Sequence, residues 1–598
     1  MDVSAQIVSP VGVCALPPRP RNAAHTVSYA HYIYEILDHA GICYTPLTMD
    51  AVANALPALR LLVTVGETSF PDSTQALLAR WVEAGGAWLA IGGTAGVPSL
   101  FGVEEESPTF AGWGSSIGTL GEGYLQVVRS EHPVLAHVPI PLHFFNGVPV
   151  QAKEGEVLAC ILDAHQRQTP RAGVVGRSVG RGQCLLIAPD VTGTVVRIQQ
   201  GLGVTRDGVD APDGTAPICD GMLKSSDGAV LDWWFDRQPV GGVPGFSAFL
   251  HPIADIWREM VVRAILALAH AQGVVFPLLW LYPRNLPALA HLSHDTDGND
   301  PILAEKMLGV LHEAGIRSTW CVIPPGYPEE IIKRIRANGH ELAMHFDAVE
   351  ADTIWDEGAF HEQWRTLKRL FGGEAPTTNK NHYLRWEGDT EFFEWCARRG
   401  IQVDQSKGPT KTGEAGFNFG TCHPYFPLDP QGNVIDVLEL PTISQDLNVF
   451  APDALLEPLL SAVERHHGVL HLLFHPAHIA KPGIAETLLK AVRSAQARGM
   501  EWWTARQINE WERARRQVQW GECRVEGDTV TVHVRSDVPL QEATILFTAR
   551  NVQVSVEGVS PLRVDRTQRW GFPMTAVTLD LHGRCTLHYR QSEKGKED

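Results

Sequence analysis

The stretch LPALAHLSHDTDG, residues 286–298, is an apolar run that ends in a histidine, two aspartates one residue apart and a glycine. The run reads as a buried strand, and its polar end as the turn that leaves it. Two carboxylates this close repel each other unless a cation or a shared proton stands between them. The bland reading is a simple turn, because Asp and Gly are ordinary turn residues. What decides between turn and site is whether other chemistry-bearing residues converge on the same end of the same fold.

Working outward, the downstream chain alternates regularly. AEKMLGVLHEAG (304–315) reads as a helix stopped by Gly315, RSTWCVI (317–323) as a strand, PEEIIKRIRANG (328–339) as a helix and HELAMHF (340–346) as a strand. The alternation continues through IQVDQS (401–406) and VLHLLFHP (469–476) to EWWTARQINEWERARR (501–516). Glycine-stopped helices followed by short buried strands predict a (β/α) barrel over 285–517. In such a barrel the functional groups stand at the C-terminal strand ends. Those ends carry Asp295 and Asp297, then His345, Asp404 and His475. Residues of the kinds used for metal binding and acid–base work, on four strands of one domain, tip the reading from turn to site.

In these motifs the region resembles the polysaccharide deacetylase family, the metal-dependent carbohydrate esterases that include nodulation-type chitooligosaccharide deacetylases. LSHDTDG (292–298) stands where the family has Thr-Phe-Asp-Asp-Gly, NGHELAMH (338–345) where it has Gly-His-Glu-x-x-x-His, and VLHLLFH (469–475) at its final strand histidine. The resemblance implies a divalent metal, zinc being expected, with Asp297 and His345 as ligands. It implies Asp295 as the general base on water and His475 as the acid that protonates the leaving nitrogen. The family's second histidine, four residues after the first, is Val349 here, and valine cannot bind metal. His382 in NKNHYLRW (379–386) is the expected replacement, which would keep an N/O ligand set suited to zinc. Asp347 is the alternative ligand, and loss of the metal site is the third possibility. Arg385 and Trp386 of the same stretch are expected on the substrate side, Arg385 as the cation that holds the base. GTCHPYFP (420–427) reads as a loop over the mouth, and His478 as a residue that orients His475 or faces solvent.

The N-terminal third reads differently. RLLVTVG (60–66), the amphipathic DSTQALLARWVEAGG (72–86) and AWLAIGG (87–93) form a βαβ unit, so 1–245 is expected to be an α/β domain with a parallel sheet. Through these and GRGQCLLIAPDVTG (180–193) it resembles the class I glutamine-amidotransferase-like fold. The comparable turn IGGTAGV (91–97) has no cysteine nucleophile, so the domain is expected to be non-catalytic. Residues 246–284 read as a connecting helix and linker, and 518–592 as period-2 strands of a small antiparallel β-sandwich.

The chain has 598 residues and a net charge of −18, with no Lys/Arg-rich block, which disfavours nucleic acid as a partner. Its ten cysteines are scattered without a CxxC pair, as suits reduced thiols. No apolar run reaches the roughly 18 residues of a membrane span, and no basic segment precedes an apolar one at the N-terminus. A cytoplasmic protein is expected, although a trimmed secreted form would read the same; the oligomeric state is open. Two functions follow. One is a C–N hydrolase removing N-acetyl groups from an amino sugar or polysaccharide, with an allantoinase-like or other small N-acyl amide inside the same class. The other, favoured by Val349, is a non-catalytic carbohydrate-binding or scaffold protein.

Overall fold

The computed structural model describes residues 7–18, 28–106, 120–208, 213–214, 221–349 and 354–590. The chain separates into two compact units, one of 1–195, 256–285 and 512–598, the other of 196–255 and 286–511. The expected boundaries at 245 and 517 do not coincide with these. Residues 196–255 are built into the second unit, where the Val204 amide donates to the Gly388 carbonyl and the Trp386 amide to that of Leu223.

The second unit is organised by a parallel sheet in which Leu289–Asp295, Thr319–Val322, Glu341–Phe346, Thr378–Asn381, Val403–Asp404 and Leu438–Glu439 follow one another side by side. On the other flank of Leu289–Asp295 lie Val469–Leu473 and then Ser444–Gln445, so strand order runs around a circle. No ladder joins Leu438–Glu439 to Ser444–Gln445, so the strands expected as a (β/α) barrel form a parallel sheet that no ladder closes. It must nevertheless curl. Only residues 440–443 connect those two edge strands, a reach of at most about 18 Å. Eight flat strands would span about 33 Å.

Glycine and capping chemistry space the strands. Asp300 caps Pro301–Ala314 by accepting the Ile302 and Leu303 amides, and Gly315 ends that helix in the left-handed conformation. Alternation then sorts the side chains. Ala290, Leu292, Trp320, Val322, Leu342, Met344, Leu470 and Leu472 join the helices in one hydrophobic core. The alternate residues His291, Ser293, Asp295, Thr319, Glu341, His345, Lys380 and His471 are also buried, so the concave face carries a cluster of polar groups set among Cys321, Ala343 and Leu473. At its N-terminal end Glu341 accepts from Thr319 Oγ1 (2.8 Å), Thr378 Oγ1 (2.6 Å) and the Arg506 amide (2.9 Å).

The first unit holds a nine-stranded sheet. Thr45–Pro46, Val11–Ala15, Leu61–Val65, Ala87–Ile91 and Gly182–Ile187 are parallel, as expected. Gln168–Val179, Glu156–Asp163, Glu122–Val127 and Leu142–Phe145 then continue the sheet antiparallel, which corrects the all-parallel reading. Adjacency by short hairpins, rather than by crossover helices, accounts for the reversal. Residues 519–590 form one hydrogen-bonded antiparallel sheet of which Pro277–Leu279 is an edge strand, and its strand Thr529–Phe547 is bent by register shifts between Ser536 and Ala543. The nine described cysteines are free thiols. Among the described residues no helix is long and apolar enough to cross a membrane.

A buried ion cluster ties the end of Ala505–Arg516 to Tyr32–His39 in this unit. Glu512 accepts from Arg515 and Arg516, and Arg516 also donates to Glu35 at 2.6 and 2.8 Å. Burial pushes the Glu512 carboxyl up, but the two guanidiniums outweigh it and hold it at about 2. A carboxyl lowered in the folded state contributes stability above its ordinary value near 4.5, and that contribution fades as pH falls toward 2. Glu512→Gln should lower stability at neutral pH by roughly 3–5 kcal/mol, because buried Arg515 loses its carboxylate and Arg516 is left with Glu35. Urea midpoints measured from pH 7 to pH 3 should fall less steeply in the variant than in the parent; parallel curves would remove Glu512 from the account.

Candidate active site

The strand Leu289–Asp295 delivers Asp295 to the mouth of the curled sheet, and the turn after it is pinned to the neighbouring strand. Thr296 Oγ1 donates to Asn299 Oδ1 (2.8 Å) and accepts the Ile323 amide (3.1 Å), while Asn299 Nδ2 donates to the Ile323 carbonyl (3.0 Å). Asp297 and Asn299 are held at positive φ, 34° and 51°. Tyr383, Leu384, Asp446 and Asn448 share this left-handed backbone at two other loops of the same rim. Non-glycine residues hold such conformations only where their surroundings over-determine them, and functional sites are where these residues cluster.

Three side chains converge on Asp297. His345 Nδ1 donates to the Lys380 carbonyl (2.9 Å), which turns Nε2 to within 3.5 Å of Asp297 Oδ1 and 3.9 Å of Asp295 Oδ2. His382 Nδ1 lies 3.0 Å from Asp347 Oδ1, and its Nε2 is 3.8 Å from Asp297 Oδ1. One ligand atom from each of Asp297, His345 and His382 lies within 4.8 Å of the others. Asp347 also accepts the Val349 amide at 3.0 Å. On the other side, His475 Nε2 is 3.8 Å from Asp297 Oδ2. Its Nδ1 donates to Asp446, which accepts the His475 amide as well (2.9 Å) and lies 3.2 Å from His478 Nδ1.

The electrostatics follow from this packing. Burial alone would raise the Asp297 carboxyl, but the imidazoles of His345, His475 and His382 outweigh it and hold the group at about 2. Burial opposes charge on His475, yet Asp446, with Asp295 and Asp297 behind it, lifts that imidazole to about 9. Burial likewise opposes charge on His345, and Asp295 and Asp297 prevail to raise it. Among the buried atoms without a hydrogen-bond partner are Asp295 Oδ1, Asp297 Oδ1 and His345 Nε2. Leaving such groups unpaired is costly. Two of them, with His382 Nε2 beside them, are the donor set of a small divalent cation, so the residues present fit a metal.

Two members of the cluster were not foreseen. Lys380 is fully buried and its Nζ is the cation facing Asp295 Oδ1, at 3.9 Å. The sequence carried no signal for it, since Thr378–Asn381 is a strand of polar residues. Asp446 follows a strand of two residues, too short for any periodic signal. Other expectations need correction. Arg385 does not hold the base; its guanidinium pairs with Glu387, Nε lying 3.2 Å from Oε1. Trp386 is not a substrate wall, because it is fully buried among Phe392 and Phe393 and donates Nε1 to the Asp389 carbonyl. Asp404 lies on the convex side and takes Asn379 Nδ2 at 2.8 Å. Cys422 and His423 do not cover the mouth, since the Cys422 carbonyl accepts the Val469 amide at the opposite end of that strand.

No protein-family model and no curated protein matches the chain. Solved structures similar to it include one assigned as a polysaccharide deacetylase from Mycobacterium smegmatis, at 20% identity over 39% of this chain and 92% of that one, with a TM-score of 0.30. Another is assigned as a polysaccharide deacetylase from Pseudomonas aeruginosa, at 14% identity over 39% and 93%, TM-score 0.30. A third is Puue allantoinase, at 13% identity over 38% and 91%, TM-score 0.30. The amidotransferase likeness of the N-terminal region finds no support in these comparisons.

The Asp446 contact makes a direct prediction. In metal-free protein the His475 ring should titrate near 9 by histidine-ring NMR. Asp446→Asn should move that titration down, since burial then acts with its main opponent gone. An unchanged midpoint would exclude Asp446 as the cause.

Proposed function

We infer that the second unit is a metal-dependent hydrolase of C–N amide bonds, acting on an N-acetyl group of an amino sugar or polysaccharide. The observation that carries this reading is the pair of buried, unpartnered atoms Asp297 Oδ1 and His345 Nε2 converging with His382 Nε2. Asp297, His345 and His382 would hold the ion, a set of two imidazoles and a carboxylate that suits zinc. A divalent ion there supplies polarisation of the acyl carbonyl and acidification of a bound water.

The chain's own residues provide the rest. Asp295, its Oδ1 unpartnered and its charge faced by Lys380, is placed to take a proton from the attacking water. His475, protonated at neutrality through Asp446, is placed to give one to the departing nitrogen. Asp347 backs His382 as a carboxylate commonly backs a metal-binding imidazole. The non-catalytic alternative rested on Val349; against it stands His382, an imidazole braced by Asp347 beside Asp297 and His345. On this reading the segment 285–517 is a polysaccharide-deacetylase-type domain, and the first unit carries no chemistry of the reaction.

Elemental analysis of the purified protein should find about one equivalent of divalent metal. Asp297→Ala and His345→Ala should each lose it while keeping the parent's circular dichroism. His382→Ala should weaken metal binding strongly, and Asp347→Ala by about 10–100-fold, as expected for an outer-shell partner. If Asp347→Ala loses the metal and His382→Ala keeps it, the ligand assignment is reversed. Asp295→Asn should keep the metal and lose at least about a hundredfold in acetate release from chitooligosaccharides. Wild-type turnover in that variant would refute its role as base.

A further inference from the structure

Beneath the mouth, the concave face carries a chain of hydrogen bonds whose direction can be worked out from donor chemistry alone. Lys380 Nζ lies 2.7 Å from Ser293 Oγ. Ser293 Oγ lies 2.9 Å from His471 Nε2. His471 Nδ1 lies 3.1 Å from the carbonyl oxygens of both Leu440 and Pro441. Ser293, Lys380 and His471 are all fully buried, so no solvent competes for these groups.

An ammonium has protons to give and no lone pair. Ser293 Oγ therefore accepts from Lys380, and its own proton points at His471. Carbonyl oxygens only accept, so His471 must carry its proton on Nδ1 and present the bare lone pair of Nε2 to Ser293. Both ends thus impose the same tautomer, and the relay is oriented without a choice at any link. Burial, reinforced by the charge of Lys380, holds His471 far below the ordinary imidazole range, in keeping with a neutral ring.

We propose that Ser293 and His471 are positioning residues that fix the Lys380 ammonium against Asp295. This rests on the reading of Asp295 as the base of an amide hydrolase. A lysine has four rotatable side-chain bonds and an unfixed ammonium has three equivalent donors. The hydroxyl claims one of them. With that donor held, Nζ stays 3.9 Å from Asp295 Oδ1, whose oxygen has no other partner. The anchor of the relay is the backbone of Leu440 and Pro441, in the segment that links the two edge strands of the curled sheet.

The first test needs no turnover. Long-range proton–nitrogen spectra of protein labelled on its histidine rings should show His471, assigned by the signal missing in His471→Gln, as the neutral Nδ1-protonated tautomer. An Nε2-protonated or charged ring would overturn the proposal whatever the enzyme's activity. The second test is kinetic. Ser293→Ala should lower kcat by about tenfold, less than the loss of the base itself, with KM and bound metal unchanged. Ser293→Thr, which restores the hydroxyl, should recover most of that loss. An unchanged kcat in Ser293→Ala would overturn the positioning role. Full turnover in Asp295→Asn would bring down the reading of Asp295 as base, and this role with it, while leaving the tautomer as measured.

Discussion

A charge enclosed by a curled parallel sheet has to be answered by groups on the same sheet. The concave face here encloses Asp295, Glu341, Lys380 and three histidines, none of them more than 5% exposed. Coulomb terms at such depth are many times their strength in water, and so is the penalty for a charge left alone. The arrangement answers each in turn. Glu341 is satisfied at the closed end by two threonine hydroxyls and a backbone amide. Lys380 is satisfied from below by a serine, and the histidine under that serine is kept neutral. What the sheet leaves uncompensated is at the mouth, where three ligand-type atoms meet. The stability of the fold and the reactivity of the site are thereby set by one balance.

Asp297 divides that mouth in two. Its Oδ1 faces His345 and His382, and its Oδ2 faces His475. One carboxylate so placed separates the His345 and His382 side from the His475 side by its own width. The strained turn after Asp295 is what makes this possible. A residue continuing the strand would point Asp297 along the sheet instead of back across its mouth, and the Thr296–Asn299 pair locks the alternative.

Much of this was legible in the sequence, and the reasons are local. Helices such as Pro301–Ala314 announce themselves by period and by a glycine stop, and strands such as Glu341–Phe346 by an apolar run between such stops. Strand ends then follow, and with them Asp295, Asp297, His345 and His475. What escaped was set by pairing that no local pattern encodes. Lys380 sits in a strand whose residues are Thr, Asn, Lys and Asn, polar enough to read as a loop, and is buried because the sheet curls around it. Asp446 follows a strand of only two residues, Ser444–Gln445. Trp386 was misread because an aromatic near a site is as often core as wall; here Phe392 and Phe393 cover it. The reversal of strand direction within the N-terminal sheet depends on which hairpins fold back, and buried apolar runs look alike in either direction.

The contact at Val349 has a consequence for how this site can change over generations. Asp347 takes hold of residue 349 through its backbone N–H and asks nothing of its side chain. Nineteen of the twenty amino acids offer that same group, and proline alone does not. This contact therefore tolerates any residue but proline at position 349. The side-chain constraint lies instead on Asp347 and His382, where a change of one leaves the other without this contact.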